Sequence, residues 1–290
     1  MKIKKAVPAV SMMLAALAVA PAFGQAPPPP IPPPQLDQMV GRIALYPDPL
    51  IAQVLAAATF PDQIAPAASY ADQHHYLTGQ ALASAIQADQ VPWDPSVQAL
   101  IPFPSVLEMM SSDMAWTSAI GNAFLVQQPD VMDAIQRDRA KARDFGYLRT
   151  NGQIVVGGGP YITIMPVNWG FMCVPYYDPA IVFFGRRPGY GISFGFGVTL
   201  GAFFRPWGWG EGLGRFDWGA HAVILNGHPW GRTWANRGSY VHPYEGVHRA
   251  GPGEARPAEA HRLEQRSAEE RRAAQTGRKM PPEHHGQGKR

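Results

Sequence analysis

The sequence predicts a mainly α N-terminal domain of about seven short helices, followed by a small β and Gly/Trp-rich irregular region and a disordered tail. Three observations lead to this prediction. Across residues 36–148 apolar residues recur three or four positions apart, which is the period of an amphipathic helix. Across 149–249 the pattern changes to short β-branched or aromatic runs and glycine–aromatic pairs, which favour strands and turns. Residues 250–290 contain one large aliphatic residue, Leu263, among charged and small residues, too few to bury a face.

Residues 1–24 have the features of a secretory signal peptide. Three lysines precede an apolar run over 6–20, and Ala22, Phe23 and Gly24 have the small-x-small form of a cleavage site. The run is shorter than the roughly 20 residues that a membrane-spanning helix needs. We therefore expect a periplasmic or secreted bacterial protein whose mature chain begins at Gln25 and has no transmembrane span. Because that residue is not cysteine, lipid attachment there is not expected.

Residues 25–35 form a proline-rich linker. Such a run favours the polyproline II conformation and predicts a spacer that holds the helical domain away from the mature terminus. A proline-rich ligand for the groove of a partner protein is the alternative.

The stretch 43–63 carries the clearest helix start. Asp48 is predicted to be the N-cap, because its carboxylate can accept from the free amides of the first turn, and Pro49 suits the first helical position. The apolar residues that follow share one face, which must pack against the neighbouring helices. They are Leu50, Ile51, Val54, Leu55 and Ala58.

The other helices are predicted from the same signals. A first helix follows the linker, and Pro66 is expected to kink or delay the helix predicted over 61–73. Asp94 and Pro95 repeat the pattern of Asp48 and Pro49. Basic residues and Gly146 predict the end of the last helix. The remaining helices are expected to begin at Thr78, at Phe103 and Pro104, and after Pro129, with Trp116, Ile120 and Phe124 continuing the apolar seam.

After residue 148, strands are predicted over 161–165, 172–177 and 180–184, since these runs are β-branched or aromatic. Pro166 and Pro175 confine them to sheet edges or strand ends, so the sheet should be small. The tract 185–234 sets bulky rings beside glycines, which disfavours a long helix.

Charge is unevenly distributed. Residues 25–145 contain 5 basic and 12 acidic side chains, whereas 146–249 contain 8 basic and 4 acidic ones. The isoelectric point near 9.0 therefore does not indicate a nucleic-acid-binding protein, because the local basic excess is small.

Several patterns that could carry chemistry have simpler interpretations. An aromatic-Asp-Pro phrase occurs at Asp48, Asp94 and Asp178, and helix capping accounts for the first two without a sugar-cleaving site. The lone cysteine, Cys173, has no local signature of a catalytic base and is predicted to be a core residue. The nine histidines form no metal-binding motif, so we expect neither a metal nor a cofactor.

Residues 191–195 match the G-x-S-x-G motif of serine hydrolases, with Ser193 as the nucleophile. Asp217 and His221 follow in the acid-then-base order of that class. The motif requires a strand before the serine and a helix after it, and glycines at 195, 197 and 201 disfavour the helix.

The candidate ligand-binding residues are Trp207, Trp209, Trp218, Arg186 and Arg187. Arginine beside flat rings suits stacking on sugars, anionic polymers or lipid headgroups. Two alternatives remain open. The rings could be the core of a glycine-rich segment, or the basic region could dock on the acidic helical domain of the same chain.

Two sets of phrases stand out: residues 43–50 with Gln53, and residues 91–97 followed by Phe103-Pro104, Met109-Met110, Trp116 and 123–125. Together they resemble an uncharacterised family of exported bacterial proteins that is known only as a domain of unknown function. The resemblance covers roughly residues 36–177, and the phrase at 174–179 is similar to a strand-forming phrase of that family. It implies export to the cell envelope and brings no activity, ligand or catalytic residue.

The sequence thus favours a non-enzymatic exported cell-envelope protein that acts by binding or scaffolding. The expected partner is an envelope polymer, an anionic glycan or another envelope protein, and not nucleic acid. The alternative is a periplasmic hydrolase, esterase-like or glycosidase-like.

Overall fold

The computed structural model describes residues 26–247. The predicted signal peptide, 1–24, and the predicted tail, 250–290, lie outside the described residues. Within 26–247 no helix has the length and apolar character needed to cross a membrane.

The first part of the described chain is helical, as predicted, with eight α-helices where about seven were expected. Helix α3 has the predicted bounds and runs through Pro66. Most of these helices have a proline in the first turn, where the missing amide removes no intrahelical hydrogen bond. The helices are α1 (Pro33–Val40), α2 (Asp48–Ala58), α3 (Pro61–Gln73), α4 (Gly79–Ala88), α5 (Pro95–Gln98), α6 (Pro104–Ser112), α7 (Met114–Val126) and α8 (Gln128–Asp144).

Helix α2 lies at the centre of the fold. All 11 of its residues are buried, and it contacts helices α3, α5 and α7 together with strands from the C-terminal part. It approaches α7 so closely that a Cβ added at Gly121 would lie 2.0 Å from the carbonyl oxygen of Ala58. A helix enclosed on all sides must be apolar over most of its circumference, which accounts for the three consecutive alanines at its end. Its buried polar residues, Asp48 and Gln53, are hydrogen-bonded.

The aspartates of the three aromatic-Asp-Pro phrases have different roles in the structure. Asp94 caps α5, since its Oδ1 accepts from the amide of Ser96 at 2.9 Å, as predicted. Asp178 does the same for Ala180 at 2.9 Å, so residues 180–184 are not a strand but begin in a short helix, α9 (Pro179–Val182). The prediction for Asp48 was wrong, because its carboxylate makes no cap hydrogen bond.

The β structure is small and antiparallel. Two-stranded ribbons are formed by β1 with β2, β3 with β6 and β4 with β5, and one three-stranded sheet has the order β7-β8-β9. Pro166 ends β2 and Pro175 begins β4, as the sequence predicts for proline. The strands are β1 (Ile154–Gly157), β2 (Thr163–Pro166), β3 (Phe171–Met172), β4 (Pro175–Tyr176), β5 (Ser193–Phe194), β6 (Val198–Thr199), β7 (Arg215–Asp217), β8 (Ala222–Leu225) and β9 (His228–Pro229).

The Gly/Trp-rich region is folded onto the helices. Trp207 ends a 3-10 helix (Gly201–Trp207), and its indole Nε1 donates to Oε1 of Gln98 at 2.9 Å. The indole of Trp209 donates to the carbonyl of Ala99 at 2.9 Å. Both parts of the chain therefore contribute to one hydrophobic cluster. This contact agrees with the alternative, left open by the sequence, that the basic region docks on the helical domain of the same chain.

The proline-rich segment does not leave the helical part at once. Ile31 donates its amide to Oε1 of Gln127 at 2.6 Å, and its carbonyl accepts from Nε2 of the same side chain at 3.0 Å. Helix α1 begins at Pro33, inside the predicted linker. The last residues of this segment thus pack on the start of α8 rather than acting as a spacer.

Candidate functional site

The aspartate predicted to cap α2 is instead half of a buried ion pair. Oδ1 of Asp48 lies 2.6 Å from Nη1 of Arg139 on α8, and the two side chains are 3% and 0% exposed. The other carboxylate oxygen accepts from the indole of Trp218 at 3.1 Å. The same guanidinium donates to the carbonyls of Ala44, Tyr46 and Ile162. This network joins α2, α8 and the C-terminal region, and its burial gives it a structural role.

A second buried carboxylate, Asp138, lies on the same helix and is incompletely paired. It is 1% exposed, and its Oδ1 contacts Nζ of Lys141 at 2.9 Å. That ammonium group also contacts Asp37 of α1 at 3.1 Å, while Oδ2 of Asp138 has no hydrogen-bond partner among residues 26–247. Burial raises the pKa of Asp138 from 3.8 to about 6, although the Lys141 contact opposes the shift.

This carboxyl makes stability depend on pH. Between the unfolded pKa of 3.8 and the folded pKa of about 6, the folded chain binds more protons than the unfolded chain. The contribution of Asp138 to the free energy of unfolding should therefore be largest below about pH 4 and be lost as pH rises through about 6. Asp138→Asn should remove this slope and increase stability at pH 7 by up to about 3 kcal/mol.

Urea unfolding of both proteins at several pH values from 4 to 7 (about one unit apart) would measure this dependence. Asp133→Asn is the matched control, since Asp133 lies on the same helix but is half exposed and pairs with His221. Parallel stability curves for Asp138→Asn and the parent chain would contradict the assignment.

The predicted hydrolase residues do not form a triad. Ser193 Oγ donates to the carbonyl of Tyr176 at 3.3 Å. Asp217 Oδ1 accepts from the amide of Ala220 at 3.0 Å. His221 Nε2 contacts Asp133 at 2.9 Å. Each member bonds to a different partner, whereas catalysis requires the base to contact the nucleophile.

Cys173 is half-buried rather than a core residue. Burial raises the pKa of its thiol, which disfavours the reactive thiolate. In the described part of the chain, no three His, Cys, Asp or Glu side chains gather closely enough to hold a metal ion.

The structure separates the five candidate ligand-binding residues into two groups. Trp207, Trp209 and Trp218 are 0%, 1% and 5% exposed, so they are core side chains and cannot stack on a ligand from solution. These three indoles can be buried without leaving an unsatisfied polar group, because each indole N–H has an acceptor. Arg186 and Arg187 are exposed and line a cavity of about 420 Å³.

That cavity, which we call the basic cavity, is lined by three arginines, Arg149, Arg186 and Arg187, and by no carboxylate of the described chain. None of the three forms an ion pair within 26–247. Its volume lies in the usual range for small-ligand sites. Three guanidinium groups around one polar cavity favour a phosphate, sulfate or carboxylate group. The cavity residues are Phe145, Gly146, Tyr147, Arg149, Thr150, Asn151, Arg186, Arg187, Pro188, Gly189, Tyr190, Gly191 and Ile192.

Local structure positions these side chains. Gly146 adopts φ of +78° just after α8, the left-handed turn that commonly ends a helix, and the chain then leads to Arg149. The hydroxyl of Tyr147 donates to the carbonyl of Gly185 at 3.0 Å and accepts from the amide of Arg187 at 2.7 Å. One phenol thus fixes the loop that carries both of the predicted arginines.

A proline–glycine turn forms part of the lining of the basic cavity. The amide of Tyr190 donates to the carbonyl of Arg187 at 3.2 Å. Between them lie Pro188 and Gly189, and the φ of Gly189 is +79°. Proline followed by a glycine of positive φ is the pattern of a type II turn. It places Arg187 and Tyr190 at the two ends of one tight turn.

Comparison with known proteins identifies a family for this chain but assigns no activity. The model of a family described as "Protein of unknown function (DUF3300)" matches residues 33–226, a span that includes the basic cavity. The uncharacterized protein YacH of Escherichia coli (strain K12) is 32% identical over 182 residues, which is 51% of this chain and 29% of YacH. The chain thus spans less than a third of that relative's length. No solved structure matches.

Proposed function

Since the chain belongs to the DUF3300 family, a family of unknown function, we propose a role from its own surface. It is a non-enzymatic exported cell-envelope protein that binds an anionic group of an envelope polymer in the basic cavity. The observation that carries the proposal is the convergence of Arg149, Arg186 and Arg187 on one cavity without a neutralising carboxylate.

Electrostatics supports this role. Guanidinium groups form bidentate, charge-assisted hydrogen bonds with carboxylate and phosphate oxygens. None of the three arginines has an ion-pair partner within residues 26–247, so a bound anion would supply their counter-charge. The loop held by Tyr147 presents two of them in a fixed arrangement, which lowers the entropy cost of binding.

The location in the envelope is proposed from the signal-peptide pattern of residues 1–24. The hydrolase alternative is not favoured, because Ser193, Asp217 and His221 bond to separate partners. A glycosidase mechanism would need two carboxylates flanking a cleft. Among the described residues that line the basic cavity, a neighbouring cavity at Ser193 and a third cavity at Tyr176, there is one carboxylate, Asp178.

The test is co-sedimentation of the purified protein with isolated peptidoglycan, an insoluble anionic polymer. Arg186→Ala combined with Arg187→Ala should weaken retention by about 10-fold or more, since a hydrogen bond to a charged group contributes about 1.5–3 kcal/mol. Retention of the parent protein should fall as sodium chloride rises from about 50 to 500 mM, because salt screens exposed charges.

Arg215→Ala is the matched control, since Arg215 is an exposed arginine on β7 outside the basic cavity. It removes the same charge and should leave retention nearly unchanged. Retention that is insensitive both to salt and to the double substitution would refute the proposed function.

A further inference from the structure

The basic cavity continues into a longer groove. It shares residues 189–191 with a second cavity of about 480 Å³ that is also lined by Asp178 and Ser193. Tyr176 lines that second cavity and also a third one of about 430 Å³. Each cavity in this order shares at least one lining residue with the next, so a chain-like ligand could run from the arginines past Tyr190 to Tyr176.

The chemistry of the groove changes along its length. At one end are the three arginines, and next to them are two aromatic rings, Tyr190 and Tyr176, each 48% exposed. The middle cavity adds the carboxylate of Asp178 and the hydroxyl of Ser193. No hydrogen bond of either phenol oxygen is formed within residues 26–247, so both can bond to a ligand.

This composition distinguishes among anionic ligands. A polymer with a negative charge on every repeat, such as polyphosphate, would bring anions beside Asp178 and be repelled there. A lipid surface would set apolar chains against the middle cavity, where the carboxylate of Asp178 and the hydroxyl of Ser193 would lose their contact with water. A sugar ring suits the middle cavity, because its hydroxyls can donate to Asp178 and its apolar face can pack on a tyrosine ring.

Tyr176 is held as a platform before any ligand binds. It pairs with Ser193 across the ribbon of β4 and β5, and its ring lies over the bare backbone of Gly195, where an added Cβ would be 2.6 Å from the ring. A larger residue at position 195 would therefore shift the ring from this position. A ring already fixed in place loses little side-chain entropy on binding.

We propose that the groove binds an acidic oligosaccharide, with its anionic group on Arg186 and Arg187 and its sugar rings on Tyr190 and Tyr176. This inference rests on the proposed function and specifies the class of polymer. It predicts that the arginines and the tyrosines serve different parts of one ligand.

The experiment is calorimetric titration of the whole mature chain with three probes. They are a peptidoglycan tetrasaccharide that carries carboxylates, neutral chitotetraose, and polyphosphate. We expect the acidic tetrasaccharide to bind most tightly. Tyr190→Ala should weaken it by about 5–10-fold, whereas Tyr190→Phe should retain most of the affinity, since the ring remains.

Tyr76→Ala serves as the control for loss of an exposed tyrosine, because Tyr76 is 70% exposed and lines none of the three cavities. If Tyr190→Ala binds the tetrasaccharide as tightly as the parent while the double arginine variant does not, the oligosaccharide inference fails and the proposed function stands. Tighter binding of polyphosphate would also overturn the inference. If no variant changes the affinity for any probe, the oligosaccharide inference and the proposed function both fail.

Discussion

Replacing Arg139 with methionine is expected to lower the free energy of unfolding by about 3–5 kcal/mol. The side chain is fully buried and is 2.6 Å from Asp48, so its removal leaves a carboxylate without its counter-charge in the core. Three backbone carbonyls, of Ala44, Tyr46 and Ile162, also lose a donor. Urea unfolding followed by far-ultraviolet circular dichroism measures the loss.

Two further variants show whether burial of the charge is the cause. Arg137→Met changes the same residue type on the same helix, but this arginine is 39% exposed and pairs with Asp37, so it should cost no more than about 1 kcal/mol. Asp48→Leu combined with Arg139→Met removes both charges and should recover part of the lost stability. A cost for Arg139→Met as small as that for Arg137→Met would show that the pair is not essential to the fold.

In the helical part, the sequence predicted the helices but not the ion pair between Asp48 and Arg139. Helix positions followed from proline placement and apolar spacing, which are local, and α3 has the predicted bounds. The same local pattern gave the wrong role for Asp48. Its partner is 91 residues away, and nothing within the phrase distinguishes it from Asp94, which does cap a helix.

In the C-terminal part, Trp207, Trp209 and Trp218 were predicted to be candidate ligand-binding residues, and their burial agrees instead with the core role that the sequence left as an alternative. Whether tryptophans beside glycines face solvent or the interior depends on acceptors elsewhere in the chain. Gln98 and Ala99 provide these acceptors more than 100 residues before the rings they bond. Strand prediction failed at 180–184 for a local reason, because the cap at Asp178 favours a helix over the β propensity of that run.

The sequence predicted two of the three arginines of the candidate site. Arg186 and Arg187 stood out as basic residues in a glycine-rich tract, but Arg149 joins them only because Gly146 ends α8 beside their loop. The dipeptide Pro188-Gly189 was a usable signal. It is typical of a type II turn and would have placed Arg187 next to Tyr190.

Replacing Trp207 with alanine is expected to lower the free energy of unfolding by about 3–5 kcal/mol. The indole is fully buried, so the substitution leaves a large cavity, and it removes the donor that bonds Gln98 at 2.9 Å. Because the helices and the Gly/Trp-rich region share one hydrophobic cluster, both should unfold in a single transition. Urea unfolding followed by circular dichroism and by tryptophan fluorescence should therefore give coincident curves with a lower midpoint.

Phe196→Ala is the matched control for Trp207→Ala, since Phe196 is an aromatic residue of the same region with a fully exposed side chain. It should change stability by no more than about 0.5 kcal/mol.

The coincidence of the circular dichroism and fluorescence curves is the more demanding part of the prediction. A fluorescence transition that precedes the loss of helix in Trp207→Ala would mean that the Gly/Trp-rich region detaches while the helices remain folded. The shared core would then not couple the unfolding of the two parts of the chain.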